Sequence, residues 1–264
     1  MAAARFAHPG ASAPRPGYGP GEGNSGASVQ CDVISGSVRA TTVLWDIDGT
    51  LVHSGGVTAR AFLDAVAEVT GRRPPPGRRD YGGRLDTEIA GMLLRAVGAA
   101  PNRAADVLAE LERLVARRLD ELRARTSTCP GVDALLAYLA SAGVRQTVVT
   151  GNISAVARFK LEAGLLIPPI EPDFGGYGDS APDRAAVARA ALDRLAAAGW
   201  QPDPSQVWIV GDTPRDLACA QAIGVRCALV ATGGRPFDEL AGLGADIALP
   251  DLSDPAPLLD LWQL

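Results

Sequence analysis

Five short runs rich in β-branched residues, near positions 42–46, 144–149, 206–211, 225–230 and 246–249, alternate with helical patterns along this chain. A strand joined through a helix to the next strand makes a parallel pair, so repeating the unit predicts a parallel sheet covered by helices on both faces. The expected class is α/β, with a Rossmann-like core. One interval breaks the rhythm: from residue 53 to 129 the pattern is helical throughout. There Thr58 reads as an N-cap, Gly71 as a helix stop and Asp86 as another N-cap, and Pro101 reads as the opening of a long helix. In that last helix Leu108, Leu111, Val115, Leu119 and Leu122 recur at spacings of three and four and form one apolar stripe. The expected organisation is a core from residues 39–52 and 130–264 with an inserted all-helical cap at 53–129. Residues 1–38 are rich in Gly, Pro, Ala and Ser without apolar periodicity, which predicts a disordered N-terminal tail. A transit peptide is disfavoured because Arg5 and Arg15 are the only arginines in that segment.

The bulk properties narrow the function. A chain of 264 residues with 47% hydrophobic content can bury a sizeable core. Its net charge of -5 and pI near 5.1 give no electrostatic footing on nucleic acid or an anionic membrane surface. Small molecules are the expected partners, and the protein is expected to be a monomer or homodimer. Cys31, Cys129, Cys219 and Cys227 show neither CxxC spacing nor accompanying histidines, so no zinc site or disulfide framework is expected. With no apolar stretch long enough to span a bilayer and no signal-peptide pattern at Met1–Phe6, the expected location is cytoplasmic.

The chemistry gathers at the ends of the strands. Asp46-Ile47-Asp48-Gly49-Thr50 follows the apolar run Thr42–Trp45 directly, and alternation places the two carboxylates on one face with Ile47 turned to the core. Taken alone, a D-x-D-G stretch also fits a plain turn or a fragment of a Ca²⁺ loop. A carboxylate becomes a nucleophile toward phosphorus when a cation neutralises the phosphoryl oxygens, and its neighbour can serve as acid and then base. Thr150-Gly151 ends the second run with a hydroxyl and a close-approach amide suited to an anion. Gly211-Asp212-Thr213-Pro214-Arg215-Asp216 ends the third with two acids four apart and a proline suited to helix N1. Asp46 and Asp212 suit hard Mg²⁺, while Asp216 fits either a supporting acid or a partner of its own helix dipole. Two cations compete for the phosphoryl group. Lys160, the sole lysine, lies more than two helical turns past Thr150, whereas Arg184 opens a fresh helix at the end facing the site and is preferred. Ligands in open α/β sheets bind beyond the carboxyl ends of the strands, so an insertion leaving just after Thr50 lies over the site. Within it, Arg84 in the loop Gly82–Asp86 is a candidate substrate contact, and His53 fits either a residue flanking the site or one packing beneath the cap.

These elements, in this order over residues 42 to 250, resemble the haloacid dehalogenase-like hydrolase superfamily, in the branch whose cap lies between its first and second motifs. Within that superfamily the chain is similar to phosphoglycolate phosphatase-like and β-phosphoglucomutase-like members. The resemblance implies that Asp46 forms an aspartyl phosphate and that Asp48 protonates the leaving group and then activates water. It also implies that Asp46, the main-chain carbonyl of Asp48 and Asp212 hold Mg²⁺, and that Thr150, Gly151 and a basic residue bind the phosphoryl group. The family commonly carries lysine where this chain offers Arg184. A dehalogenase is disfavoured by Asp48, and a phosphonatase by the lack of lysine in residues 53–130. The implied function is Mg²⁺-dependent hydrolysis of a small phosphorylated metabolite, phosphoglycolate or a sugar phosphate. A phosphosugar mutase on the same core, or a catalytically quiet ligand- or partner-binding domain, are the alternatives.

Overall fold

The computed structural model describes residues 42–75, 81–179 and 181–264; the expectation for residues 1–38 lies outside them. Strand β1 (Thr42–Trp45) leads into a short strand β2 (Val52–His53), and four helices follow: α1 (Val57–Thr70), α2 (Asp86–Ala96), α3 (Ala104–Arg117) and α4 (Leu119–Arg125). Strand β3 (Ser127–Thr128) then returns the chain to α5 (Val132–Ser141), β4 (Arg145–Val148), α6 (Ser154–Ala163) and α7 (Arg184–Ala197). The remainder alternates as β5 (Val207–Gly211), α8 (Pro214–Ile223), β6 (Arg226–Val230), α9 (Phe237–Ala241), β7 (Ile247–Leu249) and α10 (Ala256–Trp262).

Five strands form one sheet in the order β4-β1-β5-β6-β7, all parallel, with Leu44 level with Thr147 on one side and Ile209 on the other. Each central strand splits its side chains between two apolar layers. Val43, Trp45, Trp208, Val210, Ala228 and Val230 pack on the face held by Leu135, Leu136 and Leu139 of α5 and Leu258 and Trp262 of α10. Leu44, Ile209, Cys227 and Leu229 pack on the other, against Val187, Ala188, Ala191 and Leu195 of α7 and Leu217 and Ala220 of α8. Both faces are therefore dry, which is why these strands read as continuous apolar runs. A third cluster, with Phe62, Val66, Leu93, Leu111, Val115 and Leu122 at its centre, fills the helical segment and joins it to Ile153 and Val156 at the start of α6.

Three local expectations are revised. The interval after β1 is not helical throughout: β2 and β3 pair antiparallel, Val52 with Thr128 and His53 with Ser127, at the two points where the chain leaves and re-enters the sheet region. Adjacent chain crossings satisfy each other's backbone groups there, a gain that no single-segment pattern reveals. The long helix expected from Pro101 opens as a short 3₁₀ turn and breaks at Arg118, whose backbone leaves the helical region at φ -109° and ψ 21° between α3 and α4. Thr58 and Asp86 are not N-caps of their helices: Gly56 (φ 73°) precedes α1, and Leu85 precedes α2 with Glu88 reaching back to its amide at 3.1 Å. Gly71 does end α1, in the left-handed region at φ 68°.

Candidate active site

The carboxyl ends of β1, β4, β5 and β6 open into a cavity of about 500 Å³, roofed by the helical segment. Its lining includes Asp46, Asp48, Thr150, Gly151, Lys160, Arg184 and Asp212 from the sheet side, with His53 and Arg84 above.

Asp46 follows β1 on the same side as Leu44, the α7 side, and is 4% exposed. Arg184, first residue of α7, meets it there with Nη2 donating to Asp46 Oδ1 at 2.7 Å. The same nitrogen donates to Asp216 Oδ1 and to the Val149 carbonyl. Asp216 is fully buried at the third position of α8, where its Oδ2 accepts from the amide (3.0 Å) and hydroxyl (2.7 Å) of Thr213. It thus closes a capping box and anchors the guanidinium at once, which joins the two roles read for it. Gly211 makes room for this: a Cβ there would lie 2.2 Å from Asp216 Cγ.

Asp212 continues β5 into the cavity, and Thr50 donates to its Oδ1 at 3.4 Å. One oxygen each from Asp46, Asp212 and Asp216 lies within 4.8 Å of the others. Burial pushes Asp46 up to about 7, with Arg184 opposing the shift. Burial, then the charges of Asp46, Asp216 and Asp48, pushes Asp212 up to about 8. Arg184 alone therefore does not neutralise the cluster, and the oxygens of Asp46 and Asp212 form a hard donor set that fits Mg²⁺. Asp216, already accepting three hydrogen bonds, is the poorest ligand of the three.

Lys160 is where the distance argument along the helix misleads. It is 2% exposed, yet its Nζ donates to Asp48 Oδ2 and, at 2.9 Å, to Asn152 Oδ1. The residue sits about 9 Å along α6 from its start. Helical side chains lean toward the N-terminus, and the unbranched lysine stem supplies the remaining reach. The structure thus brings both cations to the cavity in different places: Arg184 against Asp46 and Lys160 against Asp48. Thr150 is buried, with its Oγ1 accepting from the Asn152 amide at 3.3 Å. Gly151 is needed for close approach, since a Cβ on it would lie 1.9 Å from the Arg84 carbonyl.

Three participants were not read as site residues from sequence. Asp86 is buried and accepts from the Ile153 amide at 2.9 Å, so it serves the N-terminus of α6 rather than that of its own helix. Asn152 joins it to Lys160. Gly233, just after β6, leaves space that Asp212 fills: a Cβ there would lie 1.5 Å from Asp212 Oδ2. The Thr232-Gly233-Gly234 stretch repeats the hydroxyl-then-glycine signal of Thr150-Gly151 at another strand end, and that was its legible mark. Cys129, Cys219 and Cys227 are buried free thiols, and burial pushes the first two up to about 11 and about 12. No helix among the described residues is long and apolar enough to cross a membrane.

Comparison with known proteins places this geometry. Residues 43–221 match the family model described as haloacid dehalogenase-like hydrolase. The phosphoglycolate phosphatase of Rhodospirillum rubrum is 34% identical over 220 residues, covering 80% of this chain and 87% of the relative. That of Synechococcus elongatus is 32% identical over 220 residues, covering 82% and 94%. Among solved structures, CbbY from Rhodobacter sphaeroides in complex with xylulose-(1,5)bisphosphate aligns at TM-score 0.65 and 22% identity, covering 81% of this chain and 96% of that one. A hydrolase from Pseudomonas syringae aligns at TM-score 0.62 and 20% identity, covering 83% and 98%. The fold, the strand-end carboxylates and these matches agree: the chain belongs to the haloacid dehalogenase-like hydrolases.

Proposed function

We propose that this phosphatase hydrolyses a small phosphoric monoester of the phosphoglycolate or sugar phosphate type, with Mg²⁺ and through an aspartyl phosphate on Asp46. The observation that carries the reading is the buried Asp46–Arg184 pair beside Asp212, at the carboxyl end of a parallel sheet and inside a cavity. The relatives named phosphoglycolate phosphatase, at 32–34% identity across most of their length, support that substrate class.

In this reading Asp46 Oδ attacks phosphorus as the ester P–O bond breaks. Arg184 holds Asp46 on one side, and its Nε and Nη1, which have no acceptor among the described residues, are donors for phosphoryl oxygens. Asp48 gives its proton to the departing oxygen, then takes one from the water that cleaves the aspartyl phosphate. Thr150 and the Gly151 amide add neutral donors at the end of β4. Asp46, the Asp48 carbonyl and Asp212 would hold Mg²⁺, which when bound offsets the phosphoryl charge. The segment 53–129 acts as a cap, with Arg84 and His53 on its cavity side. The test is phosphate release from p-nitrophenyl phosphate and from phosphoglycolate with Mg²⁺ and with EDTA. Turnover on both that vanishes with EDTA is expected; no release under either condition overturns the proposal.

A further inference from the structure

The cavity contains a line of buried polar groups that hydrolysis at Asp46 does not itself require. It starts on the cap at Asp86, 2% exposed, whose carboxylate accepts from the Ile153 amide at 2.9 Å and from the Asn152 side chain. Asn152 Oδ1 in turn accepts from Lys160 Nζ at 2.9 Å, and the same Nζ donates to Asp48. Asp48, by contrast, has a side chain 45% exposed within the cavity, so packing does not hold it. Its position depends on the lysine.

A buried ammonium is costly unless it is fully paired. Lys160 meets that need with one carboxylate by direct hydrogen bond and with the field of a second, Asp86, for which it is the largest opposing charge against a burial that pushes the group up to about 6. Asn152 orients the link, because an amide that accepts from Lys160 through Oδ1 must present its donor to Asp86. The cap end of the line is firmly seated: the Asp86 amide donates to the Gly151 carbonyl at 2.7 Å, and Arg215 donates to the Gly82 carbonyl at 2.6 Å. If the loop lifted away, Lys160 would lose its second carboxylate and Asn152 its acceptor.

We propose that Asp86, carried by the cap, is a positioning residue that sets Asp48 through Asn152 and Lys160, so that seating of the cap loop and readiness of the acid–base carboxylate are one event. This rests on the assignment of Asp48 under the proposed function, and the test separates the two. A substrate whose leaving oxygen departs as an alkoxide needs the proton of Asp48, whereas p-nitrophenolate leaves without one. In Asp86→Asn two amide donors face each other across the link and it opens, while the acceptor for Ile153 is kept. The p-nitrophenol burst of the first half-reaction is expected to stay within about twofold of wild type, and phosphoglycolate turnover to fall on the order of tenfold or more with KM nearly constant. A structural role would lower both together.

The second readout needs no turnover. Lys160 is the only lysine in the chain, so protein labelled with ¹⁵N-lysine has a single side-chain ammonium resonance, protected only while it is buried and hydrogen-bonded. That resonance is expected in the wild type, lost or broadened in Asp86→Asn, and regained in the reciprocal double variant Asp86→Asn/Asn152→Asp. Should Asp86→Asn fail to fold, Asn152→Ala carries the same comparison. Equal loss on the two substrates, no loss on either, or an ammonium signal indifferent to Asp86→Asn would each overturn the relay. A wild type silent on both substrates would sink the phosphatase reading instead, while the ammonium signal still judges the link.

Discussion

Replacing Arg184 with methionine removes the one cation that touches Asp46 and Asp216 among the described residues, while keeping most of the buried aliphatic volume. Breaking a buried pair by deleting one partner costs about 3–5 kcal/mol, because the remaining charge stays desolvated. For a domain of this size each kcal/mol lowers Tm by about 2–4 °C, so a loss on the order of 10 °C is expected at alkaline pH. The loss should depend on pH, and its sign follows from Asp46. Its folded-state value is already raised to about 7 from 3.8 with Arg184 in place, and removing the arginine raises it further. A carboxyl group raised on folding binds more protons in the native state, so stability falls as pH climbs from the unfolded value toward the folded one. Below about pH 7 Asp46 is protonated in both proteins and the variant escapes most of the penalty; above it wild type ionises while the variant resists, and the gap grows by at most ~1.4 kcal/mol per pH unit. Thermal unfolding in EDTA from pH 5 to 8.5 should therefore show a gap to wild type that widens with pH. Saturating Mg²⁺ should narrow that gap at pH 8 by supplying the missing charge. A gap that is flat across pH, or untouched by Mg²⁺, would refute the reasoning that Arg184 exists to offset these carboxylates.

Asp46→Asn should abolish turnover while raising Tm at pH 8 in EDTA, because it removes a buried charge whose ionisation is disfavoured; retained turnover in a steady-state assay would exclude the covalent route. Gly151→Ala should leave the sheet folded but force the Gly82–Asp86 loop off its seat, since the new Cβ meets the Arg84 carbonyl; kcat/KM should fall on the order of tenfold or more with far-ultraviolet circular dichroism unchanged. Gly233→Ala should displace Asp212 and raise the Mg²⁺ concentration needed for half-maximal activity, and an unchanged metal titration would show that Asp212 is not a ligand.

The sheet was legible because its central strands β1 and β5 are buried on both faces and keep apolar runs, and because Asp46, Thr150 and Asp212 sit at strand ends that glycine marks. Those three were visible for that reason, Arg184 because it opens a fresh helix facing the site, and all four line the cavity. Lys160 was misjudged because helix position was counted along the axis, whereas a lysine stem leaning toward the N-terminus covers the distance. Asp86 was misjudged for the opposite reason: a carboxylate before a helical pattern normally serves its own first turn, and here tertiary packing gives it to the first turn of α6. The β2–β3 ribbon had no signal at all, since two residues on each side carry no periodicity and their pairing spans the whole insertion.

That ribbon has a consequence for how such a protein can change. Because the chain departs at His53 and returns at Ser127, its paired neighbour, the sheet meets everything in between as a graft on one stem. Residues there can be lengthened, shortened or exchanged without re-threading any of the five parallel strands or touching the pair of Asp46 with Arg184. What a replacement graft must reproduce is two fittings, the seat of residues 82–86 against Gly151 and Arg215 and the apolar contact with Ile153 and Val156 at the start of α6. Selection on what enters the cavity and selection on how phosphorus is attacked can then act on separate stretches of the same gene.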